Sequence, residues 1–277
     1  MRTLRDLLAV VLVLVATALA AVWLPGVWLQ RHLVEQSGFL AIAQPLSSDA
    51  ATQQTLVDSA VDEILANDAI PGRIATMIGP FAKEQGAKLT ELPAYAQIWD
   101  ETMVQVHEDL FAPGASDLTV DLSPAVDALV DPIQERLPFG LEIPVPENPT
   151  VTLAQIPDIP VLQQAQEVLP HARWTGPAAL ALALLAVLIA GRRRFALLLA
   201  GIGTAAAGAS TWVLTSQVEQ IVPDTLDQAD FIAPLFQAFE RQFAADLSAP
   251  SFILLGAGAA VIVLAALAML VPTSRER

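Results

Sequence analysis

Four stretches of the chain are dominated by apolar residues and contain no charged side chain: Leu7–Leu24, Gly176–Ala190, Phe195–Thr215 and Ser251–Val271. An α-helix rises 1.5 Å per residue, so roughly 20 such residues cross a bilayer core about 30 Å thick. The pattern predicts four transmembrane helices, 7–24, 176–191, 195–215 and 251–271. The first two runs are short by that measure. Trp23 and Pro25 extend the first, while Trp174, Thr175 and the arginines that follow extend the second, because long basic side chains reach back to the interface.

Between the first two spans, residues 25–175 make a segment of about 150 residues, long enough to predict one separate domain. In "SSDAATQQTLVDSAVDEILAN", a Ser48/Asp49 cap precedes Leu56, Ala60, Val61, Ile64 and Leu65 at helical spacing. Pro71, Gly79 and Pro80 predict a break of the next stretch into short helices. Tyr95, Trp99, Met103, Val106 and Leu110 form another helical stripe. "LTVDLSP" predicts a short strand at 118–122, followed by a helix broken or kinked at Pro132. "LEIPVPENPTVTLAQIP" predicts two strands turning through 146–149. A last helix at about 161–169 leads into the second span. The expected fold is a membrane α-helical protein of four transmembrane helices, N-in and C-in, with an extracytoplasmic α+β domain. That domain is expected to be mostly helical with a small mixed sheet.

The segment 216–250 carries a second amphipathic pattern. In "DFIAPLFQAFERQFAADL", Phe231, Leu235, Phe239, Phe243 and Leu247 recur every four residues, with Phe236 beside them. Such a face buries against the bilayer surface, the larger domain or another subunit. Its polar side is acidic, which disfavours attraction to lipid headgroups and favours a protein surface.

Charge orients the spans. The chain has a formal net charge of −15, yet its densest basic cluster, Arg192–Arg194, lies between two apolar runs. Short cytoplasmic loops collect Arg and Lys. With both termini inside, residues 1–6, 192–194 and 272–277 carry a net +5, and the two outside segments carry −15 and −5. Trp23, Trp28, Trp174 and Trp212 all fall at the outer ends of spans, where amphipathic rings favour the headgroup layer. No broader basic surface accompanies the arginines, so no nucleic-acid partner is expected. "MRTLRD" with the apolar run after it also fits a signal peptide, but the run continues through Trp23 and Leu24, which favours a retained anchor.

Candidate chemistry is sparse. The chain has no cysteine, which removes disulfides, thiolate metal sites and a cysteine nucleophile. His107 is the best single candidate for a ligand-binding or catalytic residue, although Asp100 lies about 10.5 Å away along a helix, too far for a hydrogen bond. The expected role for it is structural. His32 and His171 flank the membrane on the outer side, without the spacing of a metal motif. Asp117, Asp121, Asp127, Asp131 and Glu135 lack calcium-loop geometry and predict a solvated face. "GIGTAAAG" matches a dinucleotide fingerprint only by accident inside a span. It predicts close helix packing, with the row Ala200, Thr204, Gly208 facing Gly256 and Ala260. No cofactor and no metal are expected.

One resemblance adds to this. "FLAIAQPLSSDAATQQTLVDSAVDEI", Trp99 and His107 in "WDETMVQVHEDL", the strand end "LTVDLSP" and the basic turn among the later spans resemble a family of actinobacterial four-span integral membrane proteins with a large extracytoplasmic domain. The family has no assigned reaction, so the resemblance implies an envelope-facing membrane protein and no chemistry. The expected function is a non-enzymatic accessory, scaffold or assembly factor at the outer face of the plasma membrane, with an envelope protein or a second copy as partner. The alternatives are an extracytoplasmic envelope enzyme using carboxylates and His107, and a subunit of a transport complex.

Overall fold

The computed structural model describes residues 2–66, 72–91, 93–112, 117–121, 150–155, 166–218 and 233–270. They comprise α1 (Arg2–Leu29), α2 (Gln36–Ala43), α3 (Ala50–Ala66), α4 (Gly72–Leu89), α5 (Pro93–Phe111), β1 (Asp117–Asp121), β2 (Thr150–Gln155), α6 (Ala172–Ile189), α7 (Arg193–Ser216) and α8 (Ala233–Leu270). A π-helical turn, Gln30–Val34, follows α1, and 3-10 turns occupy Gln44–Ser48 and Leu169–His171. The chain divides into two compact units. Unit 1 is Met1–Val34, Gln166–Val222 and Glu240–Arg277; unit 2 is Glu35–Ala165 and Pro223–Phe239.

Unit 1 holds the apolar helices. Among the described residues, four helices are long and apolar enough to cross a membrane: Thr3–Val34, Gln166–Ile189, Arg193–Ser216 and Ala233–Leu270. The chain is therefore described as a multi-pass membrane protein. The first and last exceed the runs read from the sequence, because helix continues through Pro25 and Pro250. Proline removes one amide donor but does not by itself end a helix whose other backbone hydrogen bonds are kept. At the second proline the neighbouring Ser251 is fully buried and donates its hydroxyl to the Leu247 carbonyl at 2.6 Å. Thus the amphipathic helix and the fourth span form one 38-residue helix, about 57 Å long.

Small residues set the helix spacing in unit 1. A Cβ on Gly26 would sit 2.9 Å from the Ala172 Cβ, and one on Gly176 would overlap the Trp23 indole, so α1 and α6 approach through glycine. Between α7 and α8 the close-packed positions are Gly201, Gly208 and Gly258, which meet backbone atoms of the facing helix. This shifts the expected row: Gly256 has nothing within 4 Å, and Ala200 packs instead near Ala9, Val13 and Ala186 of the α1–α6 contact. The helical period allowed either face, and the sequence alone did not say which one met a neighbour.

Unit 2 corrects the expected α+β class. Its described residues are almost wholly helical, and the two strands form only an antiparallel two-stranded ribbon, with Asp117 opposite Gln155 and Asp121 opposite Thr150. A mixed sheet requires at least three strands, one pair of them parallel, and no such layer exists among the described residues. The unit's core is made by helices: Phe39, Ala43, Leu46, Trp99, Met103, Val106 and Leu235. The expected segments at 122–149, including the helix kinked at Pro132 and the first strand of the turn through 146–149, lie outside the described residues. So does 161–165, the first part of the expected last helix.

Two local readings resolve clearly. Asp49 caps α3, accepting from the Thr52 amide and hydroxyl at 2.8 Å each. The predicted break at Pro80 does not occur, and α4 runs unbroken for 18 residues. Pro80 and Thr76, whose carbonyl would have received the missing amide, are both exposed, where losing that bond costs less than it would in a core.

Candidate functional sites at the helix ends and in the helical core

The two ends of α1 make different chemistry within unit 1. At one end, Arg5 Nε donates to the Ile189 carbonyl at 3.0 Å, satisfying an orphan acceptor at the end of α6. The adjacent Asp6 Oδ1 accepts from the Gly191 amide at 2.9 Å and the Arg192 amide at 3.2 Å. The tight turn into α7 is thus held from 185 residues away in sequence, by a carboxylate that the hydrophobic pattern gave no reason to single out. Arg192 and Arg193 are exposed, and Arg194 is half-buried.

At the other end sit the tryptophans. Trp28 is buried and donates through Nε1 to Asp246 Oδ2 at 2.9 Å. Its ring stacks on His32 with centroids 4.7 Å apart and meets Phe243 edge-on at 4.9 Å. His32 Nδ1 is 3.1 Å from the Trp28 carbonyl, and its Nε2 lies 4.0 Å from Asp246 Oδ2. Gln242 donates to the other carboxylate oxygen of Asp246 at 2.9 Å. His171, the other flanking histidine, is exposed, with Nδ1 3.1 Å from the Glu167 carbonyl. Trp23 is half-buried against Gly176, whereas Trp174 and Trp212 are exposed. The guanidinium of Arg173 lies 5.6 Å from the Trp174 ring centroid, and Trp212 is 6.4 Å from Phe252. From Arg5 to Trp28 is about 34 Å along a helix, close to the thickness of a bilayer core.

In unit 2, His107 is 8% exposed and set between two aromatic rings, with centroids 5.1 Å from Phe39 and 5.1 Å from Phe111. Asp100 is engaged elsewhere, by Gln44 Nε2 at 3.3 Å. Trp99 donates to the Ala43 carbonyl at 3.1 Å, tying α5 to the end of α2. Burial pushes the Tyr95 hydroxyl up to about 12. Burial, then the neighbouring Glu108 carboxylate, raises Asp109 above the usual carboxylate value. On α4, Lys83 bridges to Asp62 of α3 at 2.8 Å, and that hydrogen bond holds its proton more firmly than usual. Among the described residues no three His, Asp or Glu side chains converge as a metal site requires.

No family model, no curated protein and no solved structure matches this chain.

The fourfold-spaced apolar face is occupied within the chain itself. Leu235 is buried in the core of unit 2, with Phe236 and Phe239 packed against that core, and Phe239 lies 5.3 Å from Phe39. Phe243 and Leu247 are buried in unit 1, Phe243 against Trp28. Phe231 lies outside the described residues. The residue that sequence reading missed is Asp6. A lone acid beside two arginines at the start of a span was its only signal.

Proposed function

We propose that this chain is a non-enzymatic integral membrane protein of the bacterial cell envelope, an accessory, scaffold or assembly factor whose helical unit 2 works at the outer face of the plasma membrane. The observation that carries the reading is the environment of His107. The residue best suited to acid–base chemistry is enclosed by Phe39 and Phe111, and general acid–base catalysis needs a group within hydrogen-bond reach of substrate. A side chain in that setting packs the core. The separation of the arginine end from the tryptophan end of unit 1 supports an orientation with Arg192–Arg194 in the cytoplasm.

The test is purification of the native protein from membranes in a gentle detergent, with mass photometry and identification of everything that co-purifies. A stoichiometric envelope protein bound to this chain supports the accessory reading. A monomer that recovers no partner overturns it.

A further inference from the structure

The corner closed by Arg5 and Asp6 contains more than a turn. A cavity of about 80 Å³ lies between α1 and α7, walled by Ala9 and Val10 on one side and Phe195, Ala196 and Leu199 on the other, with Arg192 at its rim. Pockets for whole small molecules run to about 300–1,000 Å³. A notch this small accepts only part of a ligand, and the remainder must lie outside it. On a pair of candidate membrane-spanning helices, the surrounding medium that supplies such a molecule is the bilayer.

We propose that the α1–α7 notch is a binding site for an anionic phospholipid, with the headgroup phosphate on Arg192 and Arg193 and the first part of an acyl chain against Ala9, Val10 and Leu199. Charge selects this occupant. Asp6 also lines the cavity, with one oxygen accepting from two backbone amides of the turn, while Arg192 in the lining and Arg193, the next residue along the chain, are both exposed. Guanidinium groups match phosphate oxygens with paired hydrogen bonds. Phe195, 48% exposed next to the arginines, supplies apolar surface at the depth where headgroup gives way to chain. A zwitterionic lipid would gain the same apolar contact without the net charge attraction. The site rests on the membrane-spanning character of α1 and α7 and is independent of which side unit 2 occupies.

The test uses the full chain purified in a neutral detergent and titrated with phosphatidylglycerol, phosphatidylcholine or inorganic phosphate, with bound lipid counted by native mass spectrometry. The wild type is expected to retain phosphatidylglycerol in preference to phosphatidylcholine, and Arg192→Gln/Arg193→Gln to weaken that binding about 25-fold, at about fivefold per arginine near an anionic headgroup. Both positions are exposed, so the double variant keeps its fold, and Arg31→Gln/Arg173→Gln serves as the charge-matched control that retains binding. Equal uptake of the two lipids overturns the proposal. So does a preference that survives in the Arg192/Arg193 variant, or one lost equally in the control, since either places the attraction elsewhere. Displacement of the lipid by millimolar-range inorganic phosphate also overturns it, by reducing the site to an anion site without the chain.

Discussion

Trp28 and Asp246 stand 218 positions apart and share a hydrogen bond of 2.9 Å, from the indole Nε1 to a carboxylate oxygen. It joins the end of the first apolar helix to the stretch of α8 just before Pro250. Because the acceptor is charged, the bond is stronger than a neutral one. Trp28→Phe keeps an aromatic ring against His32 and Phe243 but removes the donor. The expected loss is about 1.5 kcal/mol, the lower end for hydrogen bonds to charged groups, since Asp246 is partly solvated. Thermal unfolding in detergent measures it. Asp246→Ala should cost a similar amount, and the double variant little more than either single one. Additive losses would show that the bond contributes nothing.

Tyr95 offers a titration without overlap, because it is the chain's one tyrosine. Burial raises its folded value to about 12 from an ordinary 10.0. A raised folded value means the proton is held more tightly in the native state. The associated stability is complete below pH 10 and is lost as pH rises from there through about 12. Phenolate absorbance should therefore appear near pH 12 in the native protein and near pH 10 after unfolding. A native midpoint at the ordinary value would show that Tyr95 is solvated rather than packed beside Trp99.

The glycines of α7 and α8 separate two roles that look alike in sequence. A Cβ at Gly208 would lie 2.6 Å from the Leu255 amide nitrogen and 2.8 Å from the Ser251 carbonyl oxygen, both backbone atoms that cannot move aside alone. Gly208→Ala should destabilise the helix pair by about 1–3 kcal/mol, the usual cost of overpacking. Gly256 faces open space, so Gly256→Ala should be neutral or slightly stabilising, through alanine's better helix propensity. Matched thermal denaturation of the two variants decides. Equal effects would mean that α7 and α8 do not meet through these glycines.

These comparisons show what the sequence could reveal. Runs without charge are long-range enough in themselves to mark helices, so the spans were legible, while their ends were not. Helix passes Pro25 and Pro250 at the cost of one amide donor each, which a rule that treats proline as a stop does not allow for. The small-residue row was legible as a packing signal but not in phase: Gly256 and Gly258 differ only in which one meets Ala205. The strand pattern at 118–122 was local and held position within a residue, yet strand number is a tertiary property, and the expected mixed sheet became a two-stranded ribbon. His107 stood out as a lone polar group on an apolar stripe. That Phe39 and Phe111 enclose it depends on α2 packing on α5, which no spacing in the chain encodes.

Orientation yields the last prediction, and the absence of cysteine makes it direct, since any introduced thiol is the only one. Gln54 on α3 and Arg193 at the start of α7 are both exposed. In the proposed orientation Gln54→Cys reacts with a membrane-impermeant maleimide on intact cells, whereas Arg193→Cys reacts only after permeabilisation. The physical cause is the resistance of Arg-rich turns to translocation, which acts on short loops close to span ends. The three arginines at 192–194 satisfy both conditions, being a three-residue block between two spans. Replacing Arg192 and Arg194 with Gln in the Arg193→Cys background should then produce a fraction of chains labelled from outside. Arg193→Cys labelled on intact cells without those replacements would invert the orientation, and unit 2 would face the cytoplasm.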